Sequence, residues 1–183
     1  MDHMIAIMFD EIVRLLEPLS PHPVRFPASS AVFHIDDPVR FIYIVRIGSI
    51  HLLRHHKDGS PLVLQRAGAG SILAEASVFS EYYHCDAVAV TATDALSVSR
   101  QALCERLVTD GALAQTWVKH LGQEVQKARF QAEIMSIKTV CGRLDAWLAL
   151  RKGMPPKGEW IALAAEIGVS PEALYREMAK RRF

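Results

Sequence analysis

The sequence lacks the features of membrane-spanning and of exported, disulfide-bonded proteins. Its longest apolar runs, at residues 4–9 and around Val88, are far shorter than the roughly 20 residues that a membrane span needs. No basic start precedes an apolar segment with a small-residue cleavage site, and the three cysteines (Cys85, Cys104 and Cys141) form no CxxC pair. We therefore expect a cytoplasmic protein with reduced thiols and no membrane partner.

Enzymatic signatures are also missing from the sequence. It has no phosphate-binding loop, no serine, histidine and aspartate pattern at a recognisable strand-to-helix elbow, and no paired carboxylates in a convincing cleft context. We therefore expect that the protein is not an enzyme.

Charge is distributed unevenly along the chain. From Lys138 to the last residue there are nine Lys/Arg against five Asp/Glu, whereas residues 1–137 carry twelve against fifteen. A basic segment after an acidic body is a weak indication of nucleic-acid binding. An ordinary solvated basic surface explains the same charge equally well.

Three regions with different hydrophobic periods follow one another. Residues 1–20 have the pattern of an amphipathic helix, ended by prolines. Between residues 24 and 99 the pattern is that of short strands, with an Asp-Gly pair at 58–59 that favours a tight hairpin. After residue 100 the pattern is helical except at 153–158. Strands at near-regular spacing predict a sandwich or rolled barrel, and six of them are recognisable: SAVFHI, FIYIVR, SIHLLRHH, PLVLQR, AVAVT and ALSVS.

A coiled-coil seam is visible in the helical region. Apolar residues alternate at separations of four and three residues over three heptads, which predicts that two copies pair along one helix, although its alanines bury little area. The seam consists of Ala114, Val118, Leu121, Val125, Ala128, Ala132 and Met135. A second stripe of Leu113, Trp117 and Phe130 is expected to pack on the protein's own β-domain. The alternative is a helix that lies on its own core without dimerising.

The C-terminal segment predicts a helix-turn-helix. Residues 161–167 form a short helix, Gly168 supplies the turn, and Ser170 is an N-cap with Pro171 at the first position of a second helix. The expected buried side of that second helix is formed by Ala173, Leu174 and Met178.

Glu172 and Arg176 lie four residues apart near the start of the second helix. A carboxylate accepts from cytosine N4 and a guanidinium binds guanine O6 and N7, so this pair is suited to reading a C·G step. The alternative is an intrahelical ion pair worth a few tenths of a kcal/mol. We interpret the pair as base-reading, because the cap, the turn and the packing positions agree with a DNA-reading motif.

The order of β-strands, long helix and helix-turn-helix resembles the Crp/Fnr superfamily of bacterial transcription regulators over nearly the whole chain. Local motifs add to the resemblance: IVRIGSIHLLR with Gly48, AGAGSILAEASVFS with Glu75, and SPEALYREM. It implies an α+β fold with an N-terminal antiparallel β-roll of the cyclic-nucleotide-binding type over residues 1–110, a dimerisation helix over 111–137 and a helix-turn-helix domain over 138–183.

The same resemblance implies partners and contacts. The protein is expected to act as a homodimer on a pseudo-palindromic site in double-stranded DNA, and to work with RNA polymerase. Only residues 180–183 follow the recognition helix, so the β-hairpin wing of the family is expected to be short or absent, or else to lie beyond the last residue of this sequence. The expected DNA contacts are Ser170, Glu172, Tyr175, Arg176, Lys180 and Arg181.

The implied effector site departs from the cyclic-AMP-binding pattern of that superfamily. Aligned from Glu75, the positions at which those members hold the phosphate with an arginine and a serine or threonine carry Cys85 and Asp86, next to His84. A thiol does not neutralise a phosphate and a carboxylate repels it, so we expect no control by cyclic AMP. The N-terminus also lacks the cysteine cluster that holds iron and sulfur in Fnr-type members.

The identity of the effector stays open in the sequence. His84 and Cys85 suit copper, zinc or haem iron, and further histidines share their domain. Exposed histidines around one buried cysteine are the simpler interpretation and the favoured one. A thiol redox switch at Cys85 requires a lowered pKa, and constitutive DNA binding requires no effector. For the whole chain, the alternative is an effector-binding module with a degenerate DNA-binding half. The further histidines are His34, His51, His55 and His56.

Overall fold

The computed structural model describes residues 11–19, 22–55, 57, 61–150 and 153–181. The chain divides by its internal contacts into two compact units, residues 1–121 and 122–183. The hairpin expected at 58–59 lies outside the described residues, as do residues 1–10 of the first predicted helix and His56. Among the described helices, none is long and apolar enough to cross a membrane.

The first unit is built on eight strands in two antiparallel sheets. One sheet has the order β1-β8-β3-β6 and the other the order β2-β7-β4-β5. The prediction of an antiparallel β-roll followed by helices is confirmed. The strands are β1 (His22–Phe26), β2 (Ala31–Phe33), β3 (Phe41–Ile47), β4 (Ser49–His55), β5 (Pro61–Gly68), β6 (Ile72–Leu73), β7 (Asp86–Ala89) and β8 (Thr93–Ser99).

Strands β1 and β6 are not among the six predicted from the sequence. β6 is only two residues long, too short to show a period. β1 contains Pro23, which has no N–H to donate to a ladder, but β1 lies at an edge of its sheet, where a proline is tolerated. Both strands pair through long-range registers that local patterns do not reveal.

Gly48 makes the tight connection between β3 and β4. Its φ is +92°, and a Cβ at this position would lie 2.5 Å from the backbone oxygen of Ala92. Only glycine meets both conditions without strain. This explains physically why the IVRIGSIHLLR segment carries a glycine between two strands.

The helices of the first unit close its apolar core. Helix α1 includes residues 11–16 and buries Ile12 and Leu16, as the amphipathic pattern predicts. Helix α2 (Arg100–Thr109) begins after Ser99, whose hydroxyl accepts from the N–H of Ala102 at 3.3 Å. The long helix α3 (Gly111–Ser136) starts in this unit. Its residues Leu113 and Trp117 pack into the β-roll core, as expected.

The second unit is a small helical bundle. It contains the C-terminal half of α3, then α4 (Val140–Leu150), α5 (Trp160–Glu166) and α6 (Pro171–Lys180). Phe130 corrects one expectation, because it packs against the core of this bundle and not on the β-domain. Phe130 lies beyond the part of α3 that touches the β-roll. The apolar spacing of Leu113, Trp117 and Phe130 does not reveal where that part of the helix ends. The core consists of Ile134, Leu144, Trp147, Leu163, Ala164, Ile167, Leu174 and Met178.

Candidate nucleic-acid interface and effector site

The turn between α5 and α6 has the geometry that the sequence predicts. Gly168 adopts φ +65°, a left-handed conformation that ends α5. The hydroxyl of Ser170 then accepts from the N–H of Ala173 at 3.2 Å, and Pro171 occupies the first helical position of α6. These local signals make α5, the turn and α6 a helix-turn-helix.

Helix α6 has one buried face and one exposed face. Leu174 and Met178 are buried, and Ala173, the third expected core position, is half-buried. The opposite stripe follows helical spacing and is exposed along its whole length. Four expected DNA-contacting residues therefore share one accessible surface, which we call the α6 stripe: Glu172, Tyr175, Arg176 and Lys180.

The charges at the start of the α6 stripe suit base recognition. The pKa of Glu172 is lowered, first by a hydrogen bond from its own backbone N–H, then by the hydroxyl of Ser170, with a further contribution from Arg176. The carboxylate is therefore ionised at neutral pH and accepts hydrogen bonds only. Arg176 is exposed one helical turn further along. An acceptor and a guanidinium fork thus lie side by side at the end of α6 that a recognition helix presents.

The ring of Tyr175 packs against a second aromatic ring, that of Trp160. Its ring centroid lies 5.3 Å from that of Trp160, whose indole Nε1 donates to the carbonyl of Pro155 at 3.1 Å. The tyrosine is nevertheless 37% exposed, so its hydroxyl stays accessible on the α6 stripe. Trp160 was not singled out from the sequence, because its role depends on the packing of the segment before α5 against α6.

Arg181 is placed differently from the expectation that it contacts phosphate. Its guanidinium binds Asp145 Oδ1 at 2.6 Å, Glu177 Oε1 at 3.0 Å and the carbonyl of Cys141 at 3.0 Å, and its side chain is only 18% exposed. The guanidinium thus ties α6 to α4 within the bundle. The basic character of the last residues predicts a DNA contact, but two partners of this arginine, Asp145 and Cys141, lie 36 and 40 residues earlier in the chain. The third, Glu177, lies four residues earlier.

The residues expected at the effector site lie in distinct environments. Glu75 is half-buried at the start of a short 3₁₀ helix, Glu75–Ser77. His84 is exposed, with Nδ1 3.3 Å from the hydroxyl of Ser77. Cys85 is buried, with 2% of its surface exposed. His84 and Cys85 are therefore neighbours in the chain with different exposure, in the bend that precedes β7.

The thiol of Cys85 does not have the property that a redox switch requires. Burial raises its pKa above the ordinary value; Arg54 opposes this shift, while Asp86 and Glu75 add to it. Cys85 is therefore a neutral thiol at neutral pH, not a reactive thiolate. A raised pKa does not favour the redox interpretation of this residue, which stays a prediction.

Asp86 is held on the outer side by two histidines of other strands and loops. Its oxygens Oδ1 and Oδ2 lie 3.3 Å from Nδ1 of His34 and of His55, and Oδ1 accepts from the N–H of Ile35 at 3.0 Å. Its pKa is lowered chiefly by that backbone hydrogen bond. The carboxylate is therefore ionised at neutral pH, and the absence of cyclic AMP binding stays a prediction.

The sequence patterns did not reveal one cation at this site, the guanidinium of Arg54. Arg54 of β4 donates to the carbonyl of His84 at 2.9 Å, although it lies 30 residues earlier in the chain. The register that pairs Leu53 with Asp86 brings it there. Within the part of the chain that the structure describes, no group of three or more His, Cys, Asp or Glu side chains is arranged to hold a metal ion.

The order of a β-roll, a long helix and a helix-turn-helix is the architecture that the resemblance to the Crp/Fnr superfamily implies. Comparison with known proteins agrees with this architecture. Residues 23–110 match the cyclic nucleotide-binding domain family. The chain is 28% identical over 159 residues to the cyclic AMP receptor protein of Thermus thermophilus, covering 82% of this chain and 72% of that protein.

Solved structures with the same fold include FixK2 from Bradyrhizobium japonicum, with a TM-score of 0.69, 16% identity and coverage of 87% of this chain and 83% of that one. The c-di-GMP responsive global regulator CLP of Xanthomonas campestris gives a TM-score of 0.64 at 20% identity, with coverage of 93% and 90%. By these comparisons the chain is similar to transcription regulators of the Crp/Fnr superfamily. The relatives named here are regulators, not enzymes.

Proposed function

We propose that this protein is a homodimeric, sequence-specific DNA-binding transcription regulator whose effector is not cyclic AMP. The α6 stripe carries the proposal: an N-capped helix buries Leu174 and Met178 and presents an ionised carboxylate, a guanidinium, a tyrosine and a lysine on its accessible side. Ser170, at the N-cap, joins this surface as a phosphate contact.

Dimerisation is supported by three exposed apolar residues of the predicted seam, although another seam residue, Leu121, is partly buried against the β-roll core. Val118, Val125 and Met135 leave 67%, 47% and 42% of their surfaces exposed in the single chain, although all three are apolar. Such a stripe on one helix is suited to pairing with a second copy. Two copies would then present two α6 helices to successive major grooves on one face of a duplex.

The test of DNA reading is a selection from random duplex DNA with the wild type and Arg176→Ala. We expect the wild type to enrich a pseudo-palindrome with half-sites about one helical turn apart, and Arg176→Ala to relax discrimination at one guanine in each half-site. The affinity loss should be about 1–3 kcal/mol for each half-site. Failure to enrich any palindrome would favour the alternative, an effector-binding module with a degenerate DNA-binding half.

The effector proposal rests on Asp86 and Cys85. The relative from Thermus thermophilus is named for cyclic AMP, but here the sequence alignment assigns an ionised carboxylate and a buried neutral thiol to the phosphate positions. Isothermal titration should therefore detect no cyclic AMP binding in the micromolar range, and tight binding would contradict the proposal. Sensing of copper, zinc or haem through His84 and Cys85 stays a prediction. Metal analysis and an absorbance spectrum of the purified protein, with Cys85→Ser for comparison, test it.

A further inference from the structure

Arg143 of α4 binds the ends of two other helices at once. Its Nε donates to the carbonyl of Ile137 at 2.7 Å and its Nη2 to that of Met135 at 3.2 Å. Its Nη1 donates to the carbonyls of Ile167 at 3.2 Å and Gly168 at 2.7 Å. One side chain therefore joins the C-terminal end of α3 to the turn of the helix-turn-helix.

Two residues of α3 reinforce this connection. The amide of Gln131 donates to the carbonyl of Glu166, at the end of α5, at 2.5 Å. The thioether of Met135 occupies the space in which a Cβ at Gly168 would lie. We call Arg143, Gln131 and Met135 together the turn clamp. Met135 also belongs to the predicted dimer seam, so the clamp lies directly against the surface along which two copies are proposed to pair.

The chemistry of the clamp gives it rigidity as well as binding energy. Carbonyls at the C-terminal ends of helices lack partners within the helix and carry partial negative charge. A guanidinium supplies donors in a fixed planar fork, so carbonyls bound to it from two helices are held at one relative orientation. A lysine ammonium has a similar charge but no such fork. Arg143 is therefore suited to fixing an angle between elements, beyond adding stability.

We propose that Arg143 is a positioning residue that fixes the recognition helix α6 relative to the C-terminal half of α3, and thereby sets the spacing between half-sites that the dimer accepts. This inference rests on the proposed function, because it presupposes a dimer that reads a palindrome. Arg143 is not proposed to contact a base or a phosphate. Its effect passes through the turn at Gly168 to the stripe that carries Arg176.

The test compares binding to the selected palindrome and to versions with one base pair added or removed between the half-sites. One base pair rotates a half-site by about 35° and moves it by about 3.4 Å. The wild type should lose affinity by roughly tenfold or more on such a change, because one α6 helix loses its base contacts. We call this loss of affinity on altered spacing the spacing penalty. For Arg143→Gln the spacing penalty should fall to about threefold or less, since α6 is free to follow the displaced half-site.

Arg181→Gln is the matched control. It removes a guanidinium that ties α6 to α4 and that, among the described residues, has no hydrogen bond or ion pair to α3. This variant should lose stability and keep the spacing penalty of the wild type. A merely structural role of Arg143 would lower affinity for every spacing by the same factor and leave the penalty unchanged. Arg143→Lys should restore part of the stability but not the full penalty, because the fork is missing.

A second variant keeps the inference testable if Arg143→Gln does not fold. Gln131→Ala removes one link of the clamp and should reduce the spacing penalty by about half. If the wild type enriches a palindrome and both clamp variants keep its spacing penalty, this inference is wrong and the proposed function stands. If the wild type enriches no palindrome, the proposed function fails and this inference fails with it.

Discussion

Lys180 and Arg181 are neighbours in the sequence but have different surroundings, so substituting each one tests the assignment of the α6 stripe. Lys180 is exposed at the end of α6. Arg181 is engaged by Asp145, Glu177 and the carbonyl of Cys141. We expect Lys180→Ala to change DNA binding and Arg181→Ala to change stability.

The magnitude for Lys180→Ala follows from counterion release. Each phosphate contact contributes about 0.9 to the slope of log affinity against log salt, and a dimer has two copies, so the slope should fall by about 1.8. The affinity loss should consequently be roughly twelvefold larger at 50 mM than at 200 mM salt. All DNA sequences should be affected alike, because a phosphate contact carries no base information.

The magnitude for Arg181→Ala follows from its contacts. Asp145 is 59% exposed, so its ion pair contributes at most about 1 kcal/mol. With the remaining hydrogen bonds of a mostly buried guanidinium, the total loss of unfolding free energy should be about 1–3 kcal/mol. The salt slope should not change.

Two measurements decide between these outcomes. Fluorescence anisotropy on the selected site from 50 to 200 mM salt gives the slope, and guanidinium unfolding followed by tryptophan fluorescence gives the stability of the bundle, whose core contains Trp147. If Arg181→Ala flattened the salt dependence as much as Lys180→Ala and kept full stability, the assignment of Arg181 to the interior of the bundle would be refuted.

Three further predictions concern the seam and the β-roll. Replacing Leu121 and Val125 by glutamate should convert the dimer to a monomer in light scattering, because like charges would face each other across the seam. Because the pKa of Asp86 is lowered, its ionised form stabilises the fold above the ordinary aspartate pKa, and this stabilisation is lost as pH falls through the folded-state pKa. Asp86→Asn should therefore lose less stability than the wild type between about pH 5 and pH 2. Gly48→Ala should destabilise by about 1–3 kcal/mol or prevent folding, because of its positive φ and the backbone oxygen of Ala92, as chemical denaturation would detect.

Each of these three predictions has a result that would contradict it. A dimer that survives two charges on the seam places the interface elsewhere. Equal acid sensitivity of the wild type and Asp86→Asn means that other carboxylates dominate the acid transition. A Gly48→Ala protein as stable as the wild type shows that the β3–β4 connection relaxes without strain.

Much of this protein is determined by short-range patterns in its sequence. The helix-turn-helix follows from residues within a few positions of one another: Gly168 in the left-handed conformation, the hydroxyl of Ser170 capping α6, and Leu174 and Met178 at helical spacing. The alternation of buried and exposed residues in β4, β5 and β8 and the heptad spacing of α3 are local in the same sense. Steric limits on the backbone and the burial of one face act over such distances, so they leave readable periods.

Only the tertiary structure decided which charged side chains are available for function. Arg143 and Arg181 look alike in the sequence as basic residues near a DNA-reading motif, yet one binds four carbonyls and the other two carboxylates. Asp86 and Arg54 meet their partners through strand registers, across 30 or more residues. The physical reason is that a hydrogen bond or an ion pair forms wherever packing brings two groups within about 3 Å. The packing that does so is a property of the assembled core and leaves no period along the chain.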